Sequence, residues 1–367
     1  MPGRRVKLFA GELHYRPQLR LHTASSGEIP SLRELYLVLE ERGERLACGA
    51  VRTNVEYLTG IPESAVRREV DERVRDFPWN GDFHEVRAAL ATAGKLSPTT
   101  RALVDTLIFD GLSRREGIPL CEHLGGNFKG RYATNQTLFW SDDDTLLALA
   151  REYVARGFTD LKLRVAVEGF GRDLRRLQLV RDAFGDTVRL SIDANGHWSE
   201  AQAMERIAQL EPFALAYVEQ PIAAGDWDAL GRLAKWSPTP IMLDESLASI
   251  HDVQELARRR LPVLAHLKLA KLGGIEAVMA AARRLAEVDI PVMIGQMNEG
   301  TVATAAAVHC AMALDAPRAE LYGADGLLDD PAHGLAYRDG MVEIAHGPGL
   351  GVEFNAQRAQ LIWEKSV

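Results

Sequence analysis

Three cysteines in 367 residues, Cys48, Cys121 and Cys310, are too few and too widely spaced for a disulfide framework. They suit a reducing compartment, where free cysteine serves as a small buried apolar group, so a cytoplasmic location is expected. No run of about 18 uncharged apolar residues occurs, which leaves no candidate membrane span. The stretch MPGRRVKLFAGELHYRP is basic but lacks a sustained apolar core and a small-residue cleavage site. Blocks of like charge are also missing. The 43 Lys and Arg against 51 Asp and Glu leave a formal charge of −8, which argues against nucleic acid or acidic membranes as partners. Gly169-Phe170-Gly171 and Gly273-Gly274 lack the spacing of a phosphate-binding loop or dinucleotide fingerprint. What remains has an ordinary globular composition, 47% hydrophobic and 26% charged, long enough for two domains or one barrel with an addition.

A repeat is present in the second half. Asp193 lies in LSIDAN, Glu219 follows it by 26 residues in AYVEQP, Asp244 by a further 25 in IMLDES, and Lys268 by 24 more in AHLKLA. Each closes a short run of strand-forming apolar residues, and a helical pattern follows. A strand–helix period of about 25 residues is that of a parallel β/α barrel, in which residues at the C-terminal strand ends line one mouth. Strands are expected at 131–139, 160–165, 188–193, 215–219, 240–244, 264–269, 291–296 and 319–324. Ser199 with Gln202 three residues on has capping-box spacing. The nearly apolar helix at 301–314 is expected between the barrel and the preceding domain.

That preceding segment differs. Strands at 6–13, 34–40 and 45–51, with a hairpin turn at 41–44, are followed by helices at 62–76, 82–93 and 98–115, the last opening Ser97-Pro98. Strands followed by helices indicate a separate α+β unit. The predicted organisation is an α+β capping domain over 1–125, completed by about 336–367, and a (β/α)7β TIM-like barrel over 126–335. Residues 22–31 read as a polar loop, and Met341 to Ile344 as a strand returning to the capping domain.

Three carboxylates and a lysine around one rim describe a hard-cation site with a base beside it. Mg²⁺ takes oxygen ligands and leaves positions for substrate oxygens, and Asp193, Glu219 and Asp244 can supply such ligands from adjacent strand ends. Mn²⁺ is the alternative ion.

The ordered motifs LVDTLIFDGLSRREGIPLCEHLGG (103–126), LKLR (161–164), DAN (193–195), VEQP (218–221), DES (244–246), LKLAKLGG (267–274), the turn 296–300 and PGLGVEF (348–354) resemble the enolase superfamily. Within it they resemble the muconate-lactonizing branch, muconate cycloisomerase- and mandelate racemase-like. The resemblance covers nearly the whole chain. It implies one Mg²⁺ and abstraction of the proton α to the carboxylate of a small-molecule substrate, giving a metal-stabilised enediolate. Homo-oligomers are usual for such proteins.

On this reading Lys268 is the base, its pKa lowered toward neutrality by burial and neighbouring positive charge. Lys162 and Arg164, two apart on a strand, share the opposite face. Relatives carry Lys-x-Lys there. Arg164 hardly deprotonates, so it is expected to bind substrate or support the enediolate, which favours one-base chemistry at Lys268; an arginine that carries the proton is the alternative. The resemblance puts Lys162 near the substrate carboxylate, Glu299 at the barrel mouth, and Asp325 at the second acid of an ammonium-binding Asp-x-Asp pair whose first place is taken by Gly323. Asn195 either binds a metal water or substrate oxygen or is a turn residue, and Glu245 orients a ligand or lysine. His266 is expected to face away from Lys268 as a packed core residue, and Lys271 to lie in a loop. Loops at 22–31 and 57–62, with Arg20, His22 and Tyr57, are placed over the mouth.

The expected overall reaction is an isomerisation, by a cycloisomerase or a racemase/epimerase. One-base dehydration of a hydroxy acid, a lyase reaction, is the alternative. A non-catalytic metabolite-binding barrel is an alternative of another class, disfavoured by the intact acid set, and a Schiff-base aldolase barrel needs no such set.

Overall fold

The computed structural model describes residues 3–367. Long alternating runs build its first sheet. Arg4–Leu13, Leu32–Glu41 and Glu44–Arg52 pair antiparallel, and Gln360–Ser366 joins the outer side of Arg4–Leu13. The turn between the second and third strands holds Arg42 and Gly43 at φ 55° and 85°, the left-handed pair that tight hairpins demand. Leu35, Leu37 and Leu39 share one face and pack with Val104, Leu107 and Ile108 of the helix Pro98–Glu116. That helix starts as its sequence indicates, with Ser97 Oγ accepting from the Thr100 amide and proline in the first turn.

The barrel strands are Gln136–Leu138, Asp160–Arg164, Arg189–Asp193, Val218–Glu219, Ile241–Leu243, Val263–Lys268, Val292–Gly295 and Arg318–Glu320, parallel and adjacent in chain order. A helix follows each of the first seven, giving the (β/α)7β order. The first and eighth strands meet through the Asn135 amide donating to the Ala319 carbonyl (3.2 Å) and the Leu321 amide donating to Thr134 Oγ1 (2.8 Å). Tyr217, Met242, Leu264 and Met293 form an apolar cluster of their own within the barrel strands. Two, two, four and two residues further along the same strands stand Glu219, Asp244, Lys268 and Gly295, toward the mouth.

The first sheet is bolted to this mouth. Arg52 donates to the Met297 carbonyl (2.7 Å), and Glu34 Oε1 accepts from the Gly300 amide (2.5 Å) at the start of the helix Thr301–Leu314. Asp105, on the helix Pro98–Glu116, accepts from the Ile275 amide (2.5 Å) and so caps the helix Ile275–Ala286 from another element. Gly274 lies before it at φ 115°, and a Cβ there would sit 2.3 Å from Asp105 Oδ1, so only glycine allows the cap. Among the described residues, no helix is long and apolar enough to cross a membrane, and all three cysteines are buried and free.

Three expectations are corrected. Residues 22–31 contain a hairpin, Leu21–Thr23 with Gly27–Ile29, rather than an unstructured loop. Residues 131–139 form two strands: Arg131–Ala133 pairs with Met341–Ile344, and only Gln136–Leu138 enters the barrel. Met341–Ile344 therefore closes a small sheet beside the barrel, and the strand that returns to the first sheet is Gln360–Ser366.

Candidate active site

Strand register puts the rim residues at one level. Arg164 is paired with Asp193, Asp193 with Glu219, Lys268 with Gly295, and Gly295 with Glu320. Glu320 was not singled out by sequence reasoning, yet it continues the same period: it lies 52 residues after Lys268, two strand–helix steps. Gly295 lies between the two because a Cβ there would meet His266 Nε2 at 2.0 Å.

Every rim carboxylate has a cationic partner. Asp193 Oδ2 accepts from Arg164 and lies 3.8 Å from Lys162 Nζ. Glu219 accepts from Lys162 (2.9 Å) and faces His266 Nδ1 (2.9 Å). Asp244 accepts from Lys268 (2.8 Å) through Oδ2 and from Lys271 through Oδ1 and its carbonyl. Glu320 pairs with Lys162 and lies 3.9 Å from Lys268. Four buried carboxylates and the half-buried Glu245 face the four cations Lys162, Arg164, Lys268 and Lys271.

This balance sets the protonation. Burial pushes Glu219 up, but Lys162 and His266 outweigh it and hold its carboxyl below the usual range. Asp244 is likewise held low against burial by Lys268 and Lys271. Glu245 is raised by burial and by Asp244. Burial pulls the Lys268 ammonium down, yet Asp244, Glu320 and Glu219 leave it above its ordinary value, contrary to the expected fall toward neutrality. Arg164 too is raised, its neighbours outweighing burial, and stays protonated.

Glu219, Asp244 and His266 each offer a donor atom within 4.8 Å of the others, so this cluster contains His266 where Asp193 was expected. His266 does not face away from Lys268: residues two apart on a strand share a face, and its ring lies inside the barrel. Lys271 is not in a loop but buried in the short helix Leu269–Leu272. The donor set suits a hard cation: carboxylates on adjacent strands, with Asn195 Oδ1 and Glu245 Oε2 buried beside them without hydrogen-bond partners, free to accept from waters of a hydrated ion. Asn195 itself, at φ 45°, donates to Glu245 Oε1 (3.0 Å), and its amide bonds Asp193 Oδ1 (2.8 Å).

Above the rim lies a small chamber of about 20 Å³, room for one water. Its barrel side is Phe139, Arg164, Asn195, Lys268, Gln296, Met297 and Asn298. The Leu21–Ile29 hairpin and Tyr57-Leu58 close it from the first sheet's side. Tyr57 is therefore at the chamber. Arg20 and His22 instead line a neighbouring cavity of about 430 Å³, which shares Phe139 with the chamber.

Three of the residues expected to meet substrate do not reach it. Lys162 is fully buried beneath, bound to Glu219 and Glu320. Glu299 accepts the Met297 amide (3.1 Å) and the Arg52 amide (3.4 Å), at the junction with the first sheet. Asp325 is held by Arg156 (2.8 Å) and Gln136 (2.8 Å).

The family described as Enolase C-terminal domain-like matches residues 145–358, more than half the chain. The chain belongs to the enolase superfamily. It is 25% identical to the N-succinyl-L-Arg/Lys racemase of Bacillus cereus, over 79% of this chain and 84% of that one. It is 29% identical to muconate cycloisomerase 1 of Pseudomonas putida, over 74% and 75%. A dipeptide epimerase from Enterococcus faecalis, solved with Mg and the dipeptide L-Leu-L-Tyr, superposes with TM-score 0.86 at 25% identity, covering 96% of this chain and all of that one. These relatives place it in the muconate-lactonizing branch, as an enzyme of the racemase, epimerase and cycloisomerase kind; the lyase and non-catalytic alternatives are not favoured.

Proposed function

We propose that Lys268 carries the proton on one face of the carbon α to a substrate carboxylate, in an isomerisation of the cycloisomerase kind. It takes the proton as the enediolate expels a carboxylate from the β-carbon and a lactone ring opens, or delivers it after that C–O bond forms. The observation that carries this is the asymmetry of the chamber: Lys268 lines one part of it, and the second chamber cation is Arg164. An ammonium can give up its proton and recover it, whereas a guanidinium keeps its own. Racemisation by two bases needs a second group that titrates, and Arg164 does not meet that need. Arg164 instead opposes the negative charge that develops on the carboxylate as the proton leaves.

Asp193, Glu219 and Asp244 would hold Mg²⁺, with His266 fixing Glu219 and Glu245 fixing Asn195. When bound, the ion would supply positive charge against the substrate carboxylate, and Asp244, shared between it and Lys268, would hold the Lys268 proton less strongly. Lys162 neutralises Glu219 and Glu320 from below. Free buried cysteines agree with a reducing, cytoplasmic setting. Homo-oligomerisation stays part of this reading by family resemblance.

Incubating the enzyme with Mg²⁺ and carboxylates in D2O tests it. The expected result is deuterium entering the α-position with retained configuration. Inversion at a rate equal to exchange refutes the one-base reading.

A further inference from the structure

The chamber carries more information than its base. Its lining contains the guanidinium of Arg164 and the amine of Lys268, and no carboxylate side chain among the described residues. An ammonium brought here lies beside the Arg164 guanidinium and finds no carboxylate on the chamber wall to pair with. Nor can the neighbouring wall supply an acid. Both oxygens of Asp325 are occupied, by Arg156 and Gln136. At Gly323 a Cβ would lie 2.5 Å from Gln296 Oε1 and 2.9 Å from the Glu299 amide, and the Gly323 carbonyl already accepts from the Tyr15 hydroxyl.

A second observation points to what the site does take. Gln296 Nε2 is buried at the chamber without an acceptor, although Gln296 is only 2% exposed. Its Oε1 accepts from the Glu299 amide (3.1 Å), which fixes the amide's orientation and leaves the NH2 as the unmet end. Arg164 Nε is unpartnered as well. Two buried donors without acceptors leave a deficit that a bound molecule would fill with oxygen.

We infer that the substrate carries, beside the reacting carboxylate, an acyl or second carboxylate oxygen that accepts from Gln296 and Arg164, and no ammonium group near that oxygen. This deepens the enediolate reading and rests on it for which carboxylate reacts, but the unmet donors of Gln296 and Arg164 stand by themselves.

A matched pair isolates the claim. L-alanyl-L-leucine and N-propionyl-L-leucine differ in the ammonium alone. N-succinyl-L-leucine and cis,cis-muconate supply the second-carboxylate arm. Dissociation constants are measured with Mg²⁺ present, and α-deuterium exchange is followed for the leucine derivatives. The propionyl compound or one of the dicarboxylates should bind at least about tenfold more tightly than the dipeptide. Gln296→Glu keeps the Oε1 acceptor for Glu299 and turns the free donor into an acceptor, so that preference should shrink or reverse. Equal or tighter binding of the dipeptide to the unaltered enzyme overturns the inference. So does an unchanged ratio in Gln296→Glu, or no binding by any of the four. If the preference holds and no compound exchanges its α-proton, the substrate class stands and the enediolate reading fails.

Discussion

Lys268 and Lys271 form a natural control for each other. Both are buried and both bond Asp244, the first through Oδ2 at 2.8 Å and the second through Oδ1. Removing either leaves a buried aspartate short of a cation, and breaking one side of a buried pair costs about 3–5 kcal/mol. Lys268→Ala and Lys271→Ala should therefore lose similar amounts of stability, read as midpoints of denaturant unfolding. Only Lys268 lines the chamber. Loss of a general base costs about 10²–10⁴ in rate, which is about 2.7–5.4 kcal/mol in the barrier at 1.36 kcal/mol per tenfold. So Lys268→Ala should abolish α-proton exchange by that factor, with exchange in Lys271→Ala within about tenfold of the unaltered enzyme at saturating Mg²⁺. Lys268→Arg separates charge from basicity: it should recover stability without recovering exchange. Equal loss of exchange in both alanine variants, or near-normal exchange in Lys268→Arg, refutes the assignment of the base.

Other consequences follow from the same geometry. Arg164→Lys adds a titratable amine on the second side of the chamber, so deuterium exchange should begin to proceed with inversion; unchanged stereochemistry would reduce position 164 to a positive charge. Mg²⁺ should raise the melting temperature, by about 2.7 kcal/mol of stability at a hundred times its dissociation constant, and Asp244→Asn should remove that response as measured by calorimetry. Glu34 is fully buried, and burial, with Asp330 and Glu299 nearby, pushes its pKa up to about 8. A raised folded-state pKa gives stability that is complete below about 4.5 and lost as pH rises toward 8. The melting temperature should then fall between pH 5 and 8 more steeply in the unaltered protein than in Glu34→Gln, by stability on the order of a few kcal/mol; parallel curves would refute it.

The acidic rim was legible in the sequence because a barrel repeats. One strand and one helix per period, each strand ending at the mouth, turn a spacing into a shared surface, and Asp193, Glu219, Asp244 and Lys268 follow from it. Glu320 obeys the same rule, but apolar residues continue to 322, so the pattern extends the eighth strand to 324 and hides the acid inside a strand that ends at Glu320. The hairpin at Leu21–Ile29 was hidden for another reason. Its strands are three residues each, too short for alternation to register against a background of Ser, Thr and Gly. The strand at 360–366 has a mostly exposed face pattern, and an edge strand with little to bury leaves little apolar signal.

The remaining discrepancies share one cause, which is depth. Alternation tells which residues share a face, and on that ground Lys162 belongs with Arg164, and His266 with Lys268. It is silent about how far each lies from the mouth. A strand rises about 3.3 Å per residue, so a residue two positions earlier is about 6.6 Å deeper on the same wall. That difference separates a side chain that can meet a substrate from one that can only meet the carboxylates beneath it. Arg164 and Lys268 line the chamber, whereas Lys162 and His266, two residues below them, bond Glu219 instead. The proposed function accordingly gives the lower pair the electrostatic support of the rim and the upper pair the contact with substrate. On the proposed function a motif read as Lys-x-Arg would then hold two roles at two depths: replacing Arg164 should alter the reaction, while replacing Lys162 should alter the stability and metal affinity of the acids it neutralises.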